Sequence, residues 1–97
     1  MPVVLLAAYE VTEPDRFIDA FDAFAQEREA AGATTCCLVE SAEDPRRFVA
    51  ILEFGSRAAA ESFATSAGRL AALERGGVTV RVDEFHDVVR PLVATAA

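Results

Sequence analysis

His86, Arg81 and Tyr9 are the side chains of this chain best suited to moving a proton or holding a developing negative charge. His86 is the only histidine and Tyr9 the only tyrosine in 97 residues. His86 falls two residues after Glu84. On a strand the two share a face, and a carboxylate beside an imidazole orients the ring and raises its pKa, the arrangement of a general base. Arg81, between Val80 and Val82, is set to hold a phenolate or carboxylate, or else to pair with a neighbouring acid such as Glu53, Glu40 or Asp83. The Tyr9 hydroxyl can donate to a carbonyl or quinone oxygen. These three form the candidate catalytic set. A one-residue bulge in the last strand would exchange the faces of Phe85 and His86.

Phe17, Phe21, Phe24, Phe54 and Phe63 are candidates to line a pocket for an aromatic molecule, or to fill a core. Cys36 joins them as a possible lining residue. Cys36 and Cys37 are adjacent, so on a strand they point to opposite faces and do not readily bridge. No Cys/His spacing suggests a metal site. Two thiols without a basic, apolar leader fit a reducing cytosol, and the expected location is cytoplasmic.

The elements that must position these residues follow from period and punctuation. Val3 to Val11 reads as a strand. Thr12-Glu13-Pro14-Asp15 opens a helix, with Thr12 as cap and Pro14 in the first turn. Phe17, Ala20, Phe21 and Phe24 form its apolar stripe, and Gly32 closes it. Thr34 to Ser41 and Arg47 to Phe54 form a hairpin around the Ala42–Pro45 turn. Ser56 caps a second helix whose buried face is Ala59, Ala60, Phe63, Ala67 and Leu70, with a break near Ser66 ahead of Gly68. Gly76-Gly77 ends it, Val78 to Val89 is the last strand, and the chain closes in a tail.

The order β-α-β-β-α-β is the ferredoxin-like split arrangement, an α+β fold with two helices on one face of an antiparallel sheet. One domain spans 1–97, with an ordered core at about 2–91 and a tail at 92–97. The second sheet face has no cover in a single chain, and a second copy of the same sheet is the simplest one, so a homodimer is expected. Apolar residues make up 53% of the chain, the formal charge is −7, there is no lysine, and the nine arginines are scattered. That composition argues against nucleic acid and anionic membrane as partners. Val3–Tyr9 is too short an apolar run to span a bilayer.

Three stretches resemble the antibiotic biosynthesis monooxygenase family of the dimeric α+β barrel superfamily. They are Met1-Pro2-Val3-Val4 with Ala8 and Glu10-Val11; Asp44-Pro45 with Arg47-Phe48 and Glu53; and Phe54-Gly55-Ser56-Arg57-Ala58-Ala59 running to Phe63 and Ser66. The last is similar to the family pattern W-x-S-x-E-A-x-x-x-H-x-x-S. The resemblance implies a cofactor-independent enzyme that uses neither metal nor flavin and acts on an aromatic polyketide or similar small hydrophobic metabolite. In that chemistry a phenol or anthrone is deprotonated and its carbanion reduces dioxygen directly. The chain departs from the pattern at Phe54 for tryptophan, Ala58 for the acid, Phe63 for histidine and Ala7 for a first-strand asparagine, which argues against haem degradation. It has no tryptophan or asparagine at all. Their loss moves weight toward a non-redox cyclase or isomerase on the same fold, and the sparse polar inventory also fits a non-catalytic binding or assembly module.

Overall fold

A computed structural model describes residues 1–90. The tail expected at 92–97 lies outside the described residues. Four strands, β1 (Val3–Val11), β2 (Ala33–Glu40), β3 (Arg47–Phe54) and β4 (Val78–Asp87), form one antiparallel sheet in the order β2-β3-β1-β4. The helices are α1 (Pro14–Ala23), α2 (Ala25–Ala30), α3 (Arg57–Ala64) and α4 (Ala67–Arg75). This is the ferredoxin-like α+β arrangement, with each expected helix split in two.

Both splits matter for what faces the sheet. Phe24 leaves helical geometry between α1 and α2. Between α3 and α4 the chain stops at Thr65 and restarts at Ser66, whose hydroxyl accepts from the Arg69 amide. That new cap resets the helical phase. The inward residues of α4 are Arg69 and Ala72, and Leu70, expected on the buried face, is 43% exposed. At the other starts, Ser56 caps α3 as expected, accepting from the Ala59 amide. Thr12 does not cap α1; the cap position is Glu13, without a side-chain bond, and the Thr12 hydroxyl faces the Gly77 carbonyl instead.

Alternation in β1 is complete. Val3, Leu5, Ala7, Tyr9 and Val11 are all buried against the helices, and Phe17, Phe48, Leu52, Phe54 and Phe63 complete that core. The opposite sheet face carries Val4, Leu6, Ala8, Val49 and Ile51 in its middle, with Val39, Val80 and Val82 exposed around them. No element of the described chain covers this face. Among the described residues no helix is long and apolar enough to cross a membrane.

Candidate active site

The antiparallel register decides which face of β4 meets the helices. Leu5, Ala7 and Tyr9 stand opposite Phe85, Asp83 and Arg81, while Val4 stands opposite His86. Asp83 and Arg81 therefore share the helix side with Tyr9. The register slips only between Glu10 and Val11, at the far end of the strand from His86. His86 faces the uncovered side of the sheet, in an open groove with Val4, Cys37, Ile51 and Glu53. The expected grouping of His86 with Arg81 and Tyr9 is thus corrected. No bulge intervenes to bring the imidazole round, and the sheet separates it from Tyr9.

A cavity of about 30 Å³ lies between helices and sheet. Its apolar wall is Phe17, Ala20, Phe21, Phe24, Leu52, Phe63, Ala72 and Leu73. Its only polar lining groups among the described residues are Tyr9, Arg28 and Arg69. Four of the five phenylalanines named from sequence therefore line it. Phe54 does not; it is fully buried behind Phe63, with ring centroids 5.4 Å apart, and belongs to the core. Cys36 does not line it either, and opens instead on a surface groove beside Arg28.

Arg69, which the sequence reading passed over, is the centre of the polar end. Its side chain is 3% exposed and is held by four hydrogen bonds. Nη1 donates to the Ala64 carbonyl at 2.9 Å and to Asp83 Oδ2 at 2.9 Å. Nη2 donates to Asp83 Oδ1 at 2.7 Å and to the Tyr9 hydroxyl oxygen at 2.9 Å. The two-pronged geometry suits guanidinium and carboxylate and fixes both. Arg81 does not line the cavity, but it reaches the same carboxylate at 3.7 Å, so two cations share one acid. Sequence did offer a signal for Arg69: Ser66 three residues ahead of it is a helix-cap spacing, and Asp83 is an acid on the helix-facing side of β4.

This arrangement sets the state of Tyr9. Burial pushes its pKa above the ordinary tyrosine value; the charge and hydrogen bond of Arg69 pull the other way without cancelling that, and Asp83 adds to the rise. Tyr9 is therefore a neutral phenol, not a base, at physiological pH. Its oxygen accepts from Arg69, and arginine has no acceptor to offer in return, so the Tyr9 proton is free for an oxygen atom in the cavity. An already polarised hydroxyl is a stronger donor, and such an arrangement can stabilise an oxyanion. No Asp, Glu or His lines the cavity among the described residues, so nothing there acts as a proton-abstracting base.

No protein-family model matches the sequence, and no curated protein does. Solved structures do match. A protein of Nitrosomonas europaea, provisionally named an antibiotic biosynthesis monooxygenase, superposes with a TM-score of 0.77 at 18% identity over 93% of this chain and 92% of its own. SnoaB, a cofactor-independent oxygenase from Streptomyces nogalater, gives 0.79 at 15% identity over 94% and 96%. A further antibiotic biosynthesis monooxygenase gives 0.71 at 18% over 91% and 99%. The chain has the fold of the antibiotic biosynthesis monooxygenases.

Proposed function

We propose that this chain is a member of that family and a cofactor-independent oxygenase-type enzyme of small aromatic hydroxy compounds, working as a cytosolic homodimer. The observation that carries the reading is Tyr9, which lines a largely apolar, phenylalanine-rich cavity and whose hydroxyl is hydrogen-bonded to buried Arg69. In such a site a phenol or anthrone enters and ionises, and the developing charge is met by the Tyr9 proton with Arg69 behind it. The substrate carbanion then reduces dioxygen. For an anthrone the balance is CH₂ plus O₂ giving C=O plus water, so the substrate supplies all the electrons. With no base among the described lining residues, the protein lowers the substrate's own pKa and the proton passes to water. The pH–rate profile should therefore follow the acidity of the substrate and shift when a more acidic anthrone is used.

A cavity of about 30 Å³ holds one or two waters. Substrate entry consequently requires the Phe21–Phe24 segment and α4 to part, a closed-to-open change of the kind that excludes water once the ring is in place. The direct test is oxygen uptake with 1,8-dihydroxyanthrone above its spontaneous oxidation. Stoichiometric uptake with quinone formation supports the reading. Saturable binding without uptake points to the second reading, a non-redox isomerase, cyclase or binding module, and of these the lack of a base among the described lining residues favours the binding module.

The dimer is supported by the uncovered sheet face. Val80 is 46% exposed and Val82 53% exposed, beside Leu6 and Ile51, an apolar surface that a second sheet would bury. Val82→Glu places a charge on that face without touching the core. It should convert a dimer to a monomer at micromolar concentration in sedimentation velocity while leaving the circular dichroism spectrum unchanged. A wild-type chain that already sediments as a monomer removes the dimer from the proposal.

A further inference from the structure

Arg28 is the second buried cation of the cavity, and its surroundings differ from those of Arg69. Only 8% of the residue is exposed, and no carboxylate among the described residues comes within ion-pairing range. Among the described residues its Nη1 donates to the Phe21 carbonyl at 2.6 Å, its guanidinium lies 3.9 Å above the Phe21 ring, and the Cys36 thiol is a weak hydrogen-bond partner beside it. A guanidinium has five donors. One is given to a protein oxygen here, whereas Arg69 makes four bonds to protein oxygens. An interior cation left without an anion is unfavourable unless something else supplies the charge.

Position suggests what supplies it. Arg28 borders both the phenylalanine-lined cavity and the surface groove formed by Ala25, Glu29, Ala33, Thr34, Thr35 and Cys36. It is the wall between the two, on the β2 side of the sheet. Arg69 and Asp83 stand on the β4 side, and β2 and β4 are opposite edges of the four-stranded sheet. Three interstrand spacings amount to roughly 14 Å from one sheet edge to the other, a span that suits a fused-ring molecule carrying an oxygen function at each end. The aromatic ring of Phe21 beneath the guanidinium keeps its charge accessible while shielding it from water.

We propose that Arg28 binds a carboxylate on the aromatic ligand, at the end remote from the oxygen held by Tyr9 and Arg69. The preferred ligand class is then an aromatic hydroxy acid in place of a neutral phenol. This rests on the reading of the cavity as an aromatic site, and the two can fail separately.

The test uses 6-hydroxy-2-naphthoic acid and its methyl ester, titrated by their own fluorescence against the full chain. The expected result is binding of both, with the acid about tenfold to a hundredfold tighter, the range of a charge-assisted hydrogen bond in a partly dry site. Arg28→Gln should abolish that preference by weakening the acid alone, with ester affinity unchanged, and Arg28→Lys should restore part of it. A residue that merely held the end of α1 would weaken acid and ester together. Equal affinity of the wild-type chain for acid and ester overturns the anchor while leaving the aromatic site standing, and it does so even if the glutamine variant does not fold. A preference that survives in Arg28→Gln also overturns the anchor. No binding of either probe overturns the aromatic site and the anchor with it.

Discussion

Asp83→Ala is expected to lower the free energy of unfolding by about 3–5 kcal/mol, because it strands the Arg69 guanidinium, 3% exposed, without its counter-charge. The cost comes from the charge left behind, and that makes the claim separable from simple loss of a contact. Arg69→Met in the same background removes the stranded cation and fills similar space. The double variant should therefore recover most of what Asp83→Ala loses, and a urea-denaturation cycle over the four proteins should give a coupling well above the few tenths of a kcal/mol seen between independent sites. If Asp83→Ala costs under about 1 kcal/mol, as an exposed ion pair would, then water reaches Arg69 and the low-dielectric setting assigned to Tyr9 is lost with it.

Tyr9→Phe is expected to reduce oxygen consumption about a hundredfold to a thousandfold, the loss that follows removal of one donor from an oxyanion site. The ring packs 5.4 Å from Phe17 and remains in the variant, so the fold should be retained. A loss expressed only as a higher KM, with kcat unchanged, would mean that the hydroxyl only binds substrate and does not stabilise the transition state. Tyr9 also carries a signature independent of substrate. Its folded pKa is raised above the unfolded value of 10.0, so the folded chain holds this proton more tightly. The resulting stabilisation is fully present below pH 10 and is lost as pH rises through the folded pKa. Tyr9→Phe should flatten that alkaline decline in melting temperature. A variant that declines as steeply as wild type would contradict the burial of the hydroxyl.

The sheet and its order were legible because β1 alternates without a fault and because Pro14, Ser56 and Gly77 punctuate the chain where their backbone chemistry requires. Gly77 has a φ of +74°, and a β-carbon there would sit 2.8 Å from the Thr12 hydroxyl, so no other residue fits without movement. The aromatic wall was legible for the same reason: Phe17, Phe21 and Phe24 follow one helical stripe. The polar end was not. Arg69 sits three residues past the helix break at Ser66, and a single helical phase carried from Ser56 through the break turns it outward and Leu70 inward. The placement of His86 had a clear rule against it. Positions 81, 83 and 85 share one strand face and 84 and 86 the other, so Arg81 and His86 could meet only through a bulge, and the bulge lies at Glu10/Val11.

The central position of β1 has a consequence for synthesis. β1 pairs on one side with β3 and on the other with β4, and the bond from the Thr79 hydroxyl to the Glu10 carbonyl joins residues 69 apart. Loop closure over that distance must precede any reward from the pairing, and such topologies fold slowly. While the ribosome is still adding β4, one edge of β1 is bare, and Leu5, Ala7 and Tyr9 lack their neighbours on that side. The Tyr9–Arg69–Asp83 assembly draws on β1, α4 and β4, so it forms only when the last strand docks. A nascent chain halted before Val78 would carry an unpaired apolar strand edge, the form most exposed to aggregation and to capture by chaperones.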